Sequence, residues 1–490
     1  MNGGPPVTQP TRRFRWWTAV AAERWPLLLG LLSSAALLFL TDVNPFPVRH
    51  LAAELRMLLI VYPLAAWAVA VHVQRRTPHL TRLALRWYGL AFGLRVVMLC
   101  VLTIQAAGSR PYEGHVAPDS ALYSVNARIP SLMLRGESYG AENMYLGDVS
   151  ASGQLYGLAA PVGAWFLDVA DRAYFVSHGL VVGVLVLFTG YSTVAVTLPY
   201  VAIGTFFVFQ VLAMVSRFIA QDTGRRVWLW VMLMPDCLFF SAYMGKDMGV
   251  AVAFLWLVDL LDIKLKDRGV GWFLSVLALL YGWMERFRFQ LIKVFLGLLG
   301  YDFVRRALPA RLRGWWDGFT AAAVFLVLGS YKGDMGGQTF GGFEKTHVPT
   351  WADVVPSALL IPGPSLNFSP RVLFPDLTYL PVGLVWPFVA ALLIVGVVQV
   401  YRGRLKFPPK LLVLIWVSLL LSSVVYPGSY GALRFRLMGL ALILAFACEA
   451  WRSWRRDPPR SRLALGVLAM VVLLGVLLFH AAMIVRYTLA

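Results

Sequence analysis

Long apolar runs separated by short polar segments dominate the chain. A helix of about 20 apolar residues is long enough to cross a bilayer, and runs close to that length recur from residue 26 to residue 486. We predict about thirteen crossings, near 26–41, 57–74, 87–106, 198–217, 227–243, 248–262, 271–284, 290–304, 317–330, 381–401, 411–426, 437–451 and 463–486. The pattern therefore predicts an all-α, polytopic membrane protein.

The composition agrees with a membrane protein. Of the 490 residues, 59% are hydrophobic and 14% are charged, and the mean hydropathy is +0.68. A water-soluble fold of this composition would expose large apolar surfaces. No polar stretch is long enough for a soluble domain, so we predict a cytoplasmic N-terminal segment, 1–25, and a single integral-membrane domain, 26–490. The three cysteines lie far apart in apolar segments, which disfavours a disulfide framework or a zinc site.

The basic residues predict the orientation in the membrane. Lys and Arg number 44 against 25 Asp and Glu, and the basic clusters alternate along the chain with acidic, aromatic or glycine-rich loops. Cytoplasmic loops of membrane proteins carry the excess of Lys and Arg. We therefore predict a multi-pass protein of the plasma (inner) membrane, with its N-terminus cytoplasmic and its C-terminus extracytoplasmic. Topology accounts for the positive charge, so no nucleic-acid partner is expected.

One apolar stretch cannot be counted as a crossing without disturbing the predicted orientation of the chain. Residues 174–190 are apolar enough to span, but a crossing there would place Arg225 and Arg226 outside. We predict instead a re-entrant or interfacial helix in this stretch. The large external loops are then 107–197 and 331–380.

Cations on the predicted outer side violate the charge bias and need another explanation. The residues concerned, with the polar side chains beside them, are Lys246, Asp247, Glu285, Arg286, Arg288, Tyr430, Arg434 and Arg436. Arginine pairs well with phosphate oxygens, so a lipid-linked phosphate or pyrophosphate at the outer leaflet is a natural ligand. Carboxylates there would supply a general base for an attacking hydroxyl. Contact with lipid headgroups is the plainer interpretation of the same cations.

Arg95 is a charge inside a predicted span. It lies about 12 Å of helix into the segment 87–106. Ionisable residues at such depth are functional candidates. Snorkelling or a buried carbonyl partner is the alternative interpretation.

Several short motifs resemble those of the membrane-embedded GT-C glycosyltransferases, in particular bacterial members without a large soluble domain. Asp119, Tyr123 and Gly136 in the first large external loop match a D-x-x-x-Y pattern followed by glycine. Pro235 in a span that leads to Lys246–Asp247 is similar to a second element of that family. The basic pair Arg434 and Arg436 before a late span is similar to a third.

The resemblance implies a GT-C-like fold and an inverting transfer. The sugar would come from a polyprenyl-phosphate donor and go to a glycan, lipid or protein acceptor outside the cytoplasm. Asp119 would be the catalytic base, and the family chemistry admits a divalent cation, Mg²⁺ or Mn²⁺, for which no residue is assigned. Lys246, Arg286, Arg288, Arg434 and Arg436 would bind the donor phosphate. Additional site candidates, without an assigned role, are Tyr123, Asp247, Glu285 and Tyr430.

Three other functions remain open at this point. A polysaccharide polymerase or ligase would use the same outer cations for a pyrophosphate-linked glycan. A lipid-linked oligosaccharide flippase or transporter would also need cations around an anionic headgroup, but along a path through the membrane. A non-catalytic member of an envelope-assembly complex is the third.

Overall fold

The computed structural model is predominantly helical in the part of the chain that it describes. The described residues are 16–41, 51–108, 185, 192–242, 245, 247–261, 300–301, 303–330, 373–408, 411–416, 418–419 and 433–489. Within them all regular structure is helical and no strand occurs. The all-α prediction is confirmed for this part of the chain.

The helices follow one another in a simple order. Their bounds are α1 Trp16–Ala22, α2 Arg24–Thr41, α3 Leu51–Arg76, α4 Thr81–Gly108, α5 Thr193–Phe218, α6 Gln221–Leu233, α7 Pro235–Ser241, α8 Asp247–Leu261, α9 Ala310–Ser330, α10 Leu373–Tyr401, α11 Leu433–Arg456 and α12 Pro459–Leu489. A short 3₁₀ turn, Pro78–Leu80, joins α3 to α4. The largest buried cluster runs through α3, α4, α5 and α11.

Five helices in the described ranges are long and apolar enough to cross a membrane. They are Arg24–Thr41, Leu51–Arg76, Pro78–Ile104, Val194–Arg217 and Pro459–Leu478. In α5, 78% of the apolar segment is buried inside the bundle, compared with 17% in α2 and 11% in α12. Large apolar side chains on those outer helices, such as Leu29, Phe39, Leu463 and Leu478, are exposed. This is the pattern of a membrane protein, whose outer surface faces lipid.

Several helices run beyond the predicted spans. α3 begins at Leu51, inside a segment that we expected to be an external loop. Residues 193–197 and 373–380, which we assigned to the ends of the two large loops, are helical in α5 and α10. A helix satisfies its own backbone hydrogen bonds, so it continues past the hydrocarbon boundary as long as propensity allows. The total of thirteen crossings and the re-entrant segment stay predictions.

The predicted span 227–243 is broken into two helices. α6 ends at Leu233, Met234 has φ −65° and ψ 126°, and α7 begins at Pro235. Proline lacks the amide hydrogen that would continue the helix, and its ring forces the preceding residue into extended conformation. Pro235, which lies within this predicted span, is the physical reason for the break, and the crossing itself stays a prediction.

Two glycines allow α2 and α4 to cross closely. A Cβ at Gly89 would lie 2.7 Å from the Pro26 carbonyl oxygen and 3.0 Å from the Gly30 Cα. Tyr62 of α3 also contacts this crossing, because its hydroxyl donates to the Leu27 carbonyl oxygen of α2 at 2.7 Å. Small residues permit this backbone approach in a membrane, where packing rather than water drives helix association.

Gly89→Ala is expected to destabilise the bundle, since the new methyl group collides with backbone atoms of α2. We expect a loss of about 1–3 kcal/mol in the free energy of unfolding, measured by denaturant titration in mixed micelles. Gly93→Ala is the matched control one turn along α4, because the nearest atom to its Cβ, the Ser33 hydroxyl oxygen, is 4.0 Å away. That variant should gain up to about 1 kcal/mol from lower backbone entropy. Equal stability of the two variants would contradict the crossing.

Candidate functional site

Most residues of the predicted site lie outside the described part of the chain. They are Asp119, Tyr123, Lys246, Glu285, Arg286, Arg288 and Tyr430. Arg434 and Arg436 lie in the first turn of α11, where the structure describes the backbone. Asp247 is described in full, as the first residue of α8. The roles of all these residues therefore stay predictions.

Asp247 is a buried carboxylate at a helix start. Its residue surface is only 5% exposed. A negative side chain in the first turn is favoured by the partial positive charge of the helix N-terminus. Asp247 begins α8, the next helix along the chain after α7.

Arg95 is a fully buried guanidinium in the middle of α4. Its Nη1 donates to the Ala91 carbonyl oxygen at 2.7 Å, and its Nε donates to the Ser241 hydroxyl oxygen at 3.2 Å. Its Nη2 has no hydrogen-bond partner among the residues that the structure describes. The buried carbonyl partner that we named as one alternative is thus present, but it satisfies only part of the guanidinium.

Ser241 links Arg95 to α7. Its hydroxyl donates to the Cys237 carbonyl oxygen one turn earlier, so its oxygen is free to accept from Arg95. α5 approaches Ser241 at Gly204, where a Cβ would overlap the Ser241 hydroxyl. The missing side chain at Gly204 lets α5 and α7 approach each other and hold Ser241 against Arg95.

Several other arginines in the described ranges have carboxylate partners, whereas Arg56 and Arg313 donate to carbonyl oxygens. Arg86, on the same helix as Arg95, pairs with Glu23 at 3.2 Å, and Arg404 pairs with Asp457 at 3.1 Å. Arg305 pairs with Asp317 at 2.9 Å, and the hydrogen bond that the guanidinium donates to this carboxylate raises the pKa of the guanidinium. These pairs explain how cations near helix ends are accommodated. Arg95 is instead bonded to a carbonyl and a hydroxyl.

Glu54 and Ser192 form a second buried polar contact. Glu54 lies in the first turn of α3 and is fully buried. The Ser192 hydroxyl donates to Glu54 Oε1 at 3.1 Å and, as the N-cap of α5, accepts from the Ala195 amide at 3.3 Å. One hydroxyl therefore serves a helix cap and a buried carboxylate at once, which ties the start of α5 to the start of α3.

Ser192→Ala is expected to lower the free energy of unfolding by about 1–3 kcal/mol, because both the cap and a partner of a buried carboxylate are lost. Ser33→Ala serves as the control, since that hydroxyl donates to the Gly30 carbonyl oxygen of its own helix. We expect the control to change stability by less than about 0.5 kcal/mol. Denaturant titration in mixed micelles compares the two, and equal losses would show that the interhelical contact contributes nothing.

Sequence reasoning missed Glu54, Ser192 and Ser241. Glu54 stood in a predicted loop, and no motif marked the two serines. A helix-start signal was present for Ser192, which directly precedes an apolar run. For Ser241 there was no signal, because its role depends on the crossing of α4, α5 and α7.

The resemblance admits a divalent cation, and the part of the chain that the structure describes offers no site for one. Among the described residues, no group of three His, Cys, Asp or Glu side chains is arranged to hold a metal ion.

Comparison of the chain with protein-family models, with curated proteins and with solved structures finds no match. The resemblance to GT-C glycosyltransferases consequently depends on the sequence motifs alone.

Proposed function

We propose that the chain is an integral-membrane glycosyltransferase of GT-C type. It transfers a sugar from a polyprenyl-phosphate donor to an acceptor on the extracytoplasmic side of the plasma membrane. The supporting observation is that two ionisable side chains are buried in the described bundle. Arg95 lies on α4 and contacts α7, which begins directly after the break at Met234, and Asp247 begins α8, the next helix along the chain. Ionisable groups in a membrane interior are costly, and they commonly mark substrate sites.

The proposed topology has about thirteen crossings and a cytoplasmic N-terminus. Basic residues occupy the last turns of α3, α5 and α11, at Arg75–Arg76, Arg217 and Arg455–Arg456. These ends would lie in the cytoplasm under the positive-inside bias. The opposite ends, with Leu51, Ser192 and Leu433, would then face outward. That orientation places Asp247 and the predicted outer cations on the same side as Asp119.

The proposed chemistry is a single displacement. The Asp119 carboxylate takes the proton of an acceptor hydroxyl while the hydroxyl oxygen attacks the anomeric carbon of the donor sugar. The new glycosidic bond forms as the bond to the phosphate oxygen breaks, and the electron pair leaves with the polyprenyl phosphate. Cations from the predicted set Lys246, Arg286, Arg288, Arg434 and Arg436 stabilise that leaving anion.

A donor panel tests this function against the polymerase or ligase alternative. Purified protein in lipid is given radiolabelled sugars on polyprenyl monophosphate and glycans on polyprenyl pyrophosphate, with cell-envelope extract as the source of acceptor. We expect transfer from a monophosphate donor. Transfer from pyrophosphate-linked glycans alone would replace the proposed function with a ligase, and no transfer from either class would refute an enzyme of this kind.

A further inference from the structure

The guanidinium of Arg95 has one donor group that the described structure does not use. Nε and Nη2 lie on the same edge of the guanidinium plane, and Nε is bonded to Ser241 of α7. Nη2, next to it, is buried and has no partner in the described part of the chain. A buried cation without an opposite charge is unfavourable. An anion placed at this edge would accept from Nη2 and compensate the charge.

The guanidinium is held in place before any ligand arrives. The Ala91 carbonyl oxygen accepts from Nη1, and Ser241 accepts from Nε while its own hydrogen is used by Cys237. Gly204 leaves room for this arrangement between α5 and α7. A donor fixed by such contacts loses little entropy on binding, which favours a specific anion site.

The position of Arg95 argues against simple headgroup contact. At about 1.5 Å per residue it lies about 21 Å from Thr81 along α4, so with Thr81 at the cytoplasmic boundary it lies in the outer half of a hydrocarbon core of about 30 Å. An arginine at this depth would normally extend toward the nearer interface. Arg95 instead bonds inside the bundle, to the Ala91 carbonyl oxygen of its own helix and to the Ser241 hydroxyl of α7.

We propose that Arg95, positioned by Ala91 and Ser241, binds the phosphate of an isoprenoid phosphate that enters the bundle beside α4 and α7. The phosphate oxygen accepts from Nη2, and the isoprenoid chain stays in the apolar surroundings. This inference depends on the proposed function, because an isoprenoid phosphate is the leaving group of the proposed donor. It adds a binding residue inside the membrane to the predicted outer cations.

Affinity for farnesyl phosphate tests the site. The full chain in lipid nanodiscs is titrated with farnesyl phosphate, farnesol and inorganic phosphate, and unfolding temperature is followed in parallel. Arg95→Met should weaken farnesyl phosphate binding by at least about tenfold, the loss expected for a charge-assisted pair, and leave farnesol binding unchanged. Without ligand this variant should unfold at the wild-type temperature or above, because it removes a buried guanidinium whose Nη2 has no partner among the described residues.

Arg86→Met is the matched control on the same helix. Its side chain is 63% exposed and has a carboxylate partner, so we expect wild-type affinity for farnesyl phosphate. Ser241→Ala should weaken binding about threefold or more, since Nε loses the partner that orients the guanidinium. This second variant decides the question if Arg95→Met does not fold.

Several outcomes overturn the inference. Wild-type affinity in the folded Arg95→Met variant, or in Ser241→Ala if the former does not fold, would show that the phosphate binds elsewhere. Inorganic phosphate that binds as tightly as farnesyl phosphate would remove the isoprenoid from the proposal. Arg95-dependent binding without sugar transfer would refute the proposed function and leave the phosphate site intact. Transfer with wild-type kcat/KM by Arg95→Met would refute the phosphate site and leave the proposed function intact.

Discussion

Asp119→Asn is expected to lower the kcat of sugar transfer by about 10²–10⁴-fold, the range for loss of a general base. Asparagine keeps the size of the side chain but cannot take the proton of the acceptor hydroxyl. Donor binding should be retained, because the residue acts on the acceptor. The measurement is single-turnover transfer of labelled sugar at saturating donor, combined with donor affinity of the same preparation.

A second acid in the same predicted loop supplies the control. Asp148 lies outside the D-x-x-x-Y pattern, and Asp148→Asn should transfer at the wild-type rate. If both variants retain full activity, Asp119 is not the base. If both lose activity, the loop requires its acids for folding, and the assignment of Asp119 fails as well.

Asp247→Asn is expected to reduce kcat/KM for transfer by about 10–100-fold. As a site candidate, this buried carboxylate would accept a hydrogen bond from a hydroxyl of the donor sugar, and its charge would make that bond strong. Loss of the charge misplaces the sugar, and small misplacements cost up to about 10²-fold in rate. Steady-state transfer kinetics with the preferred donor measure the effect.

Asp222→Asn is the matched control for this variant. Asp222 also lies in the first turn of a helix, α6, but it is exposed to solvent. It should change neither transfer nor stability beyond about 0.5 kcal/mol. Equal kcat/KM for Asp247→Asn and Asp222→Asn would exclude Asp247 from the substrate site.

Within the described ranges, apolar runs predicted the positions of the helices, because each membrane helix depends on its own composition. α2 was expected near 26–41 and is observed at Arg24–Thr41. Bounds were less predictable, since a helix can continue beyond the bilayer, as α3 does at Leu51. The break at Met234 was predictable in principle from Pro235, but hydropathy alone treats proline as a minor interruption.

The candidate site was less accessible to sequence reasoning than the helices. Depth within a predicted span identified Arg95, because an intramembrane charge is visible in one dimension. Its contact with Ser241 was not visible, since the two residues are far apart in sequence and meet only through the crossing of α4 and α7. Glu54 and Ser192 were missed for the same reason.

The most direct test of the proposed enzyme measures two products of one reaction. Purified wild-type protein in liposomes receives a donor labelled in both the sugar and the polyprenyl phosphate, with acceptor from cell-envelope extract. The proposal predicts that sugar leaves the donor and free polyprenyl phosphate accumulates in equal amounts, over many turnovers per protein molecule. Donor that crosses the bilayer intact, with no polyprenyl phosphate formed, would contradict it and identify a lipid transporter instead.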